Sequence, residues 1–207
     1  FEGDKGPVTE GMGAYSPVPM ITKELEAVIM GKIMRPVLKA LNSEGIQYRG
    51  VLSADIVIDK GIPYAVELDC TFGDPEIQVV LPRLSADFME IALAVTDEKL
   101  SDVRDAIEWK QETSLCIVIS SKGYPGTYQK GVPISGLDMA NKMKDVMVFH
   151  AGTTYDDSNI TVSKGKVVSV LATGVDIQDA RTKAYRCAEG INFEGMYYRK
   201  DIGKEVS

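Results

Sequence analysis

Residues 51–71, VLSADIVIDKGIPYAVELDCT, hold the pattern on which the fold turns. Before Gly61 the residues alternate with a period of two: Leu52, Ala54, Ile56 and Ile58 share one side, and Ser53, Asp55 and Val57 the other. After it, Tyr64, Val66, Leu68 and Cys70 share one side, and Ala65, Glu67, Asp69 and Thr71 the other. Asp59-Lys60-Gly61 supplies a turn, so the stretch predicts a β-hairpin with one polar face. Glu67 and Asp69 leave that face about 7 Å apart. Asp55 joins them if the loop holds an odd number of residues and turns away if the number is even. Carboxylates so close repel one another unless a cation or a Lys/Arg neutralises them, and such oxygens suit Mg2+ that keeps its waters and bridges to phosphates. An exposed polar sheet face produces the same alternation, so spacing alone leaves both readings open.

Upstream, residues 3–19 carry so many Gly and Pro that neither helix nor strand is expected there. Its segment 6–13 has the glycines to bring backbone N–H groups against an anion, but no Gly-Lys-Ser/Thr closes it as in a phosphate loop. From Thr22, an N-cap, Leu25, Val28, Ile29, Ile33, Val37, Leu38 and Leu41 recur at three and four, which predicts one helix kinked at Pro36. Downstream, Asp74 is expected to cap a short helix with Pro75 at its first position. Pro82 ends it. Ser85 is expected to start another helix, and residues 96–112 to form a solvated linking helix anchored by Trp109. The runs LCIVISS, VMVFHAGT, ITVS and KVVSVLATG then predict a compact antiparallel sheet or barrel. One helix, capped by Asp176, turns Ala180, Ala184, Cys187, Ala188 and Ile191 inward. The change of character near Glu112 divides the chain into expected domains 1–112 and 113–207.

The 207 residues are 44% hydrophobic and 26% charged, proportions of a globular chain able to bury a core. A formal net charge of −7 gives no electrostatic reason to lie on nucleic acid or an anionic membrane, and no apolar run reaches the ~20 residues a bilayer demands. Cys70, Cys116 and Cys187 are widely spaced among apolar neighbours, which predicts reduced core thiols in the cytoplasm. His150 is expected to be a partnered structural imidazole, and the 9 Met residues core filler. The turns 122–126 and 199–203 could offer positive charge to a phosphate, as could any solvated turn of that composition. A chain that opens on Phe1 inside a loop is expected to be a piece of a longer polypeptide.

In order, GPVTEGMGAYSPVP (6–19), VELDCTFGDPEIQ (66–78), KGYPGTY (122–128), VFHAGT (148–153) and MYYRKDIG (196–203) resemble successive signatures of the phosphoribosylamine–glycine ligase family. The resemblance covers the whole chain and is specific because five separated motifs keep their order. It implies an α/β (α+β) ATP-grasp half-lobe with antiparallel sheet and helices, followed by a mostly β C-terminal domain with one helix. It also implies an ATP-dependent carbon–nitrogen ligase that activates glycine as glycyl phosphate and passes it to the amine of 5-phosphoribosylamine. The cofactors so implied are ATP and Mg2+ or Mn2+, and the further partner is a missing N-terminal half carrying the lysines and loop that hold the nucleotide. Glu67 and Asp69 fall where the family places its metal ligands, and Asp55 where other ATP-grasp proteins add one. Pro7, Thr9, Gly11, Met12 and Gly13 fall in the substrate loop. Asp74 and Glu76 match acidic positions beside the amine-bearing substrate and are the expected catalytic pair.

Four departures accompany the likeness. Asp69 stands for the family's Asn and Thr71 for its Arg, while Val8 and Glu10 stand for Asn and Gly. Losing a cation that stabilises transferred phosphoryl charge is worth ~10²-fold or more in rate. The alternatives are a non-catalytic binding module and one subunit of a split ligase.

Overall fold

The computed structural model describes residues 1–156 and 159–206. In chain order the elements are β1 (Gly13–Ser16), α1 (Lys23–Ile29), a π-helical turn (Met30–Met34), α2 (Arg35–Ser43), β2 (Ser53–Asp59), β3 (Ile62–Asp69) and α3 (Glu76–Val80). There follow α4 (Phe88–Thr96), α5 (Leu100–Val103), β4 (Thr113–Ser121), α6 (Leu137–Ala140), β5 (Val146–His150), β6 (Thr153–Asp156), β7 (Asn159–Val162), β8 (Lys166–Gly174), α7 (Ile177–Gly190) and β9 (Met196–Tyr197). They pack as two units interleaved along the chain. Unit 1 is Phe1–Pro17, Asp74–Arg83 and Lys110–Ser207; unit 2 is Val18–Gly73 and Leu84–Trp109. Packing therefore partitions the chain differently from a single cut at residue 112.

Unit 1 is built on an antiparallel sheet in the order β1-β4-β8-β5, with β9 also pairing β4. β4, TSLCIVISS, is buried along nearly its whole length because both of its faces are covered. Leu115, Ile117 and Ile119 face the cluster that includes Ala180, Ala184, Cys187, Ala188 and Ile191 of the α7 segment, whereas Cys116 faces Val79 of α3. Each large aliphatic side chain so buried contributes about 1.5–3 kcal/mol. Asp176 caps α7 by accepting from the Asp179 N–H at 2.8 Å, as the sequence predicts. His150 is exposed, its Nδ1 2.8 Å from Thr153 Oγ1. The expectation that residues 3–19 form no strand fails at Gly13–Ser16, which add to β4 in the register Gly13↔Ile117 to Ser16↔Ser114. The backbone ladder of a buried neighbour, not side-chain periodicity, makes that strand.

Unit 2 holds a helical segment and a two-stranded sheet. Thr22 Oγ1 accepts from Leu25 N at 3.2 Å, starting α1 where expected. The predicted kink at Pro36 is a π-helical turn ahead of it, with Pro36 in the first turn of α2, so the residue without an N–H sits where no helical bond is needed. Two helix expectations are corrected. The cap of α4 is Asp87, whose carboxylate accepts from Met89 N at 2.7 Å, while Ser85 N donates to Glu108 O. Residues 96–112 form no linking helix. They hold the one-turn α5, a 3-10 turn at Arg104–Ala106 and an extended bridge Leu84↔Trp109, with Trp109 46% exposed. Leu100, Val103 and Ile107 keep helical spacing in that stretch, but none of them is buried, so packing gives a longer helix little support.

Candidate functional site

The carboxylate ribbon belongs to unit 2. Asp59 and Ile62 close a two-residue loop in which Lys60 and Gly61 both have positive φ, 48° and 78°, the combination that matches the twist of a hairpin. An even loop by itself would place Asp55 opposite Val66. The register shifts between Asp55 and Ile56, leaving Val66 as an extra, bulged residue, so that Asp55 pairs with Glu67 and Ser53 with Asp69. The bulge thus returns Asp55, Glu67 and Asp69 to one face, all three exposed. Directly opposed residues on an antiparallel pair have Cβ atoms about 4.5–5.5 Å apart. It also separates Tyr64 from Leu68: Tyr64 pairs with Val57 on the carboxylate side and Leu68 with Ala54 on the other, so the expected oily face is split. At the open end Ser53 Oγ donates to Thr71 O at 2.7 Å. Cys70, expected in the core, is exposed because little packs over this ribbon.

Among the described residues no group of three or more His, Cys, Asp or Glu is gathered closely enough to hold a metal ion. The trio is therefore not a preformed cage. Its chemistry suits a hard cation held by two carboxylates, with water and phosphate oxygens completing the shell.

The second group of expected residues lies in unit 1. Pro7, Thr9, Gly11, Met12 and Gly13 line one cavity of about 290 Å³ that also takes in Arg199. Thr9 Oγ1 lies 2.7 Å from Tyr124 OH, so the KGYPG turn braces the loop. Val118 N donates to Met12 O at 3.0 Å, fixing the loop to β4. Gly11 lies so close to Pro75 and Glu76 that a Cβ there would stand 2.9 Å from Pro75 Cδ and 3.6 Å from Glu76 Oε1. Loop 6–13 and the Asp74–Glu76 turn therefore form one neighbourhood. Asp74 does not cap α3 as expected; Pro75 occupies the cap position, and Asp74 Oδ1 accepts from Gln78 Nε2 at 2.7 Å.

Two cations lie here, of which Arg199 falls in a quoted motif and Lys166 in none. Lys166, its side chain 11% exposed, lies 3.5 Å from Glu10 Oε2, 3.3 Å from Asp74 O and 3.7 Å from Asp74 Oδ2. No local pattern marks it; a lysine opening a strand is ordinary until the fold brings Glu10 to it. Glu10, one of the family departures, thus has a counter-charge. Arg199 grips Asp201 at 2.7 Å and Asp4 at 2.9 Å. Those bonds raise the Arg199 pKa further, and the guanidinium, with the Gly3 N–H, holds the Asp201 carboxyl well below the usual carboxylate range. Its charge is already balanced by the chain, so the phosphate role considered for residues 199–203 finds no free guanidinium.

The sequence matches two family models: "Phosphoribosylglycinamide synthetase, ATP-grasp (A) domain" over residues 1–77 and "Phosphoribosylglycinamide synthetase, C domain" over residues 114–205. The phosphoribosylamine–glycine ligase of Caldanaerobacter subterraneus subsp. tengcongensis is 45% identical over 202 residues, which is 98% of this chain and 47% of that protein. The crystal structure of phosphoribosylamine–glycine ligase from Thermotoga maritima superposes with a TM-score of 0.81 at 29% identity, covering 97% of this chain and 48% of that one. The biotin carboxylase domain of Hydrogenobacter thermophilus 2-oxoglutarate carboxylase, solved with MgADP, ADP and bicarbonate, gives 0.62 over 90% of this chain and 40% of that one. At 16% identity that likeness shows the ATP-grasp fold alone. The chain spans about half the length of the relatives it matches. With both models and an alignment over 98% of this chain agreeing, the chain belongs to the phosphoribosylamine–glycine ligase family.

Proposed function

We propose that this chain supplies the C-terminal half of an ATP-dependent ligase that joins glycine to 5-phosphoribosylamine through glycyl phosphate, giving glycinamide ribonucleotide. Support comes first from the bulged register of the hairpin, which returns Asp55, Glu67 and Asp69 to one exposed face where carboxylates can reach a nucleotide-bound cation. In this reading Glu67 and Asp69 hold Mg2+ or Mn2+ together with ATP phosphate oxygens, and Asp55 adds charge from across the ribbon. The ion, when bound, neutralises charge on the transferred phosphoryl group. Pro7, Thr9, Gly11, Met12 and Gly13 shape the substrate cavity. Asp74 and Glu76, beside Gly11, receive the amine-bearing substrate, with Lys166 holding Asp74 in place.

Thr71 offers no positive charge where the family carries Arg, and its carbonyl is occupied by Ser53. In this reading the transferring phosphate takes its positive charge from somewhere other than residue 71. No helix among the described residues is long and apolar enough to cross a membrane. The cytoplasm is the proposed compartment, and no nucleic-acid partner is proposed for a chain of net charge −7. The test is a mixing experiment. The chain alone forms no glycinamide ribonucleotide from ATP, glycine and phosphoribosylamine, and forms it when a family N-terminal half is added. Product from the chain alone, or none from the mixture, overturns the reading. For the metal, Mn2+ relaxation titrations of the wild type and Glu67→Ala must differ, since identical curves remove the assignment.

A further inference from the structure

A cavity of about 650 Å³ lies within unit 1, between α7 and the segment 136–145 that carries α6. Backbone pairs pin that segment at both ends. Ser135 and Asn192 exchange N–H···O bonds of 2.9 and 3.0 Å just ahead of it, and Thr173 N donates to Asp145 O at 2.9 Å where it closes. At the first end Gly136, at φ 88°, packs so closely on the Gly190 carbonyl that no Cβ fits there. Along the opposite wall Asp179, Lys183, Cys187 and Gly190 recur at four, four and three, drawing one stripe on α7 with Arg186 at its flank. Leu137, Ala140 and Cys187 belong to the same buried cluster as β4, so the core itself holds the two walls.

The lining is apolar on one side and carries unanswered positive charge. Met139, 68% exposed, and the half-buried Met143 form the apolar side, and thioethers adapt to bodies of differing shape. Three cations line the cavity against two carboxylates. Both carboxylates are committed to one of those cations: Lys183 Nζ lies 3.1 Å from Asp145 Oδ2 and 2.9 Å from Asp179 Oδ2, and Asp179 also accepts from Val175 N. Lys144 and Arg186 have no ion-pair or hydrogen-bond partner among the described residues, in a chain whose net charge is −7. Arg186 lies seven residues beyond Asp179, about 10 Å along the helix axis, so it starts well clear of that carboxylate. A preformed pocket of roughly 300–1,000 Å³ with apolar walls and a few convergent polar groups is the usual form of a small-molecule site. We propose that this cavity binds a small organic anion, with an acid head drawn to Arg186 and Lys144 and a flat or aliphatic body lying against Met139 and Met143. An inorganic anion would leave the methionines in water, and a neutral body would leave the two charges unanswered. The site stands whether or not the half-ligase reading does, since none of its lining residues lines the loop cavity.

The experiment titrates the intact chain with 2-naphthoate, 2-naphthyl phosphate, 2-naphthylmethanol and inorganic phosphate, and follows heat and amide chemical shifts. At least one naphthyl acid is expected to saturate a single site, with shifts centred on 136–145 and 177–190, and to bind at least about fivefold more tightly than the alcohol. The tighter of the two acids identifies the head, carboxylate or phosphate monoester. Arg186→Gln and Lys144→Gln each weaken the acid by at least about threefold and leave the alcohol unchanged, while Met139→Gln weakens acid and alcohol alike. All three positions are exposed, so melting temperatures without ligand stay within about 1 °C of wild type. A variant that melts lower is judged by its ratio of acid to alcohol affinity, which general loosening does not change. The proposal is overturned by no saturation with either acid, by equal affinity for acid and alcohol, or by acid affinity unchanged in both charge variants. Shifts centred on 6–13 and 199–203 overturn it too, since they place the acid in the loop cavity. So does inorganic phosphate that saturates the same residues as tightly as naphthyl phosphate, which leaves the apolar wall without a part.

Discussion

Replacing Gly13 with Ala tests whether the opening loop is held by β4. A Cβ at Gly13 would stand 2.8 Å from the Cys116 carbonyl oxygen and 2.8 and 2.9 Å from Cγ1 and Cδ1 of Ile202. Ordinary carbon–oxygen contact begins near ~3.3 Å, so something must give by roughly 0.5 Å. Ile202 can turn. Cys116 O cannot, because β4 is locked between β1 and β8 with Cys116 wholly buried. β1 must therefore lift from its neighbour, loosening a ladder only four residue pairs long. An overpacking cost of ~1–3 kcal/mol follows, and at about 2–4 °C per kcal/mol for a chain of this size the melting temperature falls by roughly 2–12 °C. Gly31 is the internal control, since a Cβ there meets nothing within 4 Å and the residue lies within the helical segment. Gly31→Ala is expected to be neutral or stabilising by ~0.5–1 kcal/mol. Thermal unfolding read by circular dichroism, with hydrogen exchange over 113–121, measures both. A Gly13→Ala protein that melts within 1 °C of wild type with β4 exchange unchanged, or a Gly31→Ala protein hurt more than it, refutes the idea that β4 holds the substrate loop.

Three other outcomes follow from the geometry. Cys70 is exposed, whereas burial pushes the Cys116 and Cys187 thiols up to about 12 and about 11, so a thiol reagent at neutral pH labels one cysteine quickly and two only on unfolding; three equal rates contradict the packing. Asp201 is depressed in the folded chain, so its stabilisation is fully present above its ordinary value near ~4 and is lost as pH falls toward the folded value. Asp201→Asn should cost about 1–2 kcal/mol at pH 7 and flatten the acid limb of the stability curve, and a limb unchanged in slope rules the linkage out. Lys166→Met should lower the unfolding free energy read by denaturant titration by less than ~1 kcal/mol, because Glu10 and Asp74 remain in water, while Lys166→Glu places like charges together and costs more; equal costs would show that the ammonium charge does not organise this corner.

Much of the architecture was legible where a short stretch carries its own physics. Thr22 and Asp176 announce helix starts through side chains that satisfy their own neighbours' N–H groups, and the stripe of α7 repeats at the helical period. The runs that became β4 and β8 are apolar enough to require burial on both faces. Asp74, Ser85 and residues 96–112 misled because a capping residue or an acidic run states a preference that the backbone need not follow. At the site, the motifs named the loop, the ribbon and the Asp74–Glu76 turn. They did not name Lys166, whose part depends on Glu10, 156 residues away in sequence.

By itself the amino-acid order determined that residues 51–71 would turn back on themselves, since Lys60-Gly61 accepts positive φ and the flanks alternate. It left open which side Asp55 would take, because the parity of a ribbon depends on whether a residue is squeezed out of the ladder. Only the folded chain decided that, by bulging Val66. The same holds for Gly13–Ser16, which has no strand period and became a strand because β4 offered it a row of unpaired backbone groups. Local preference is written in neighbouring residues. Register and pairing are settled by backbone hydrogen bonds to partners far away in sequence, and such bonds carry no signature of their own.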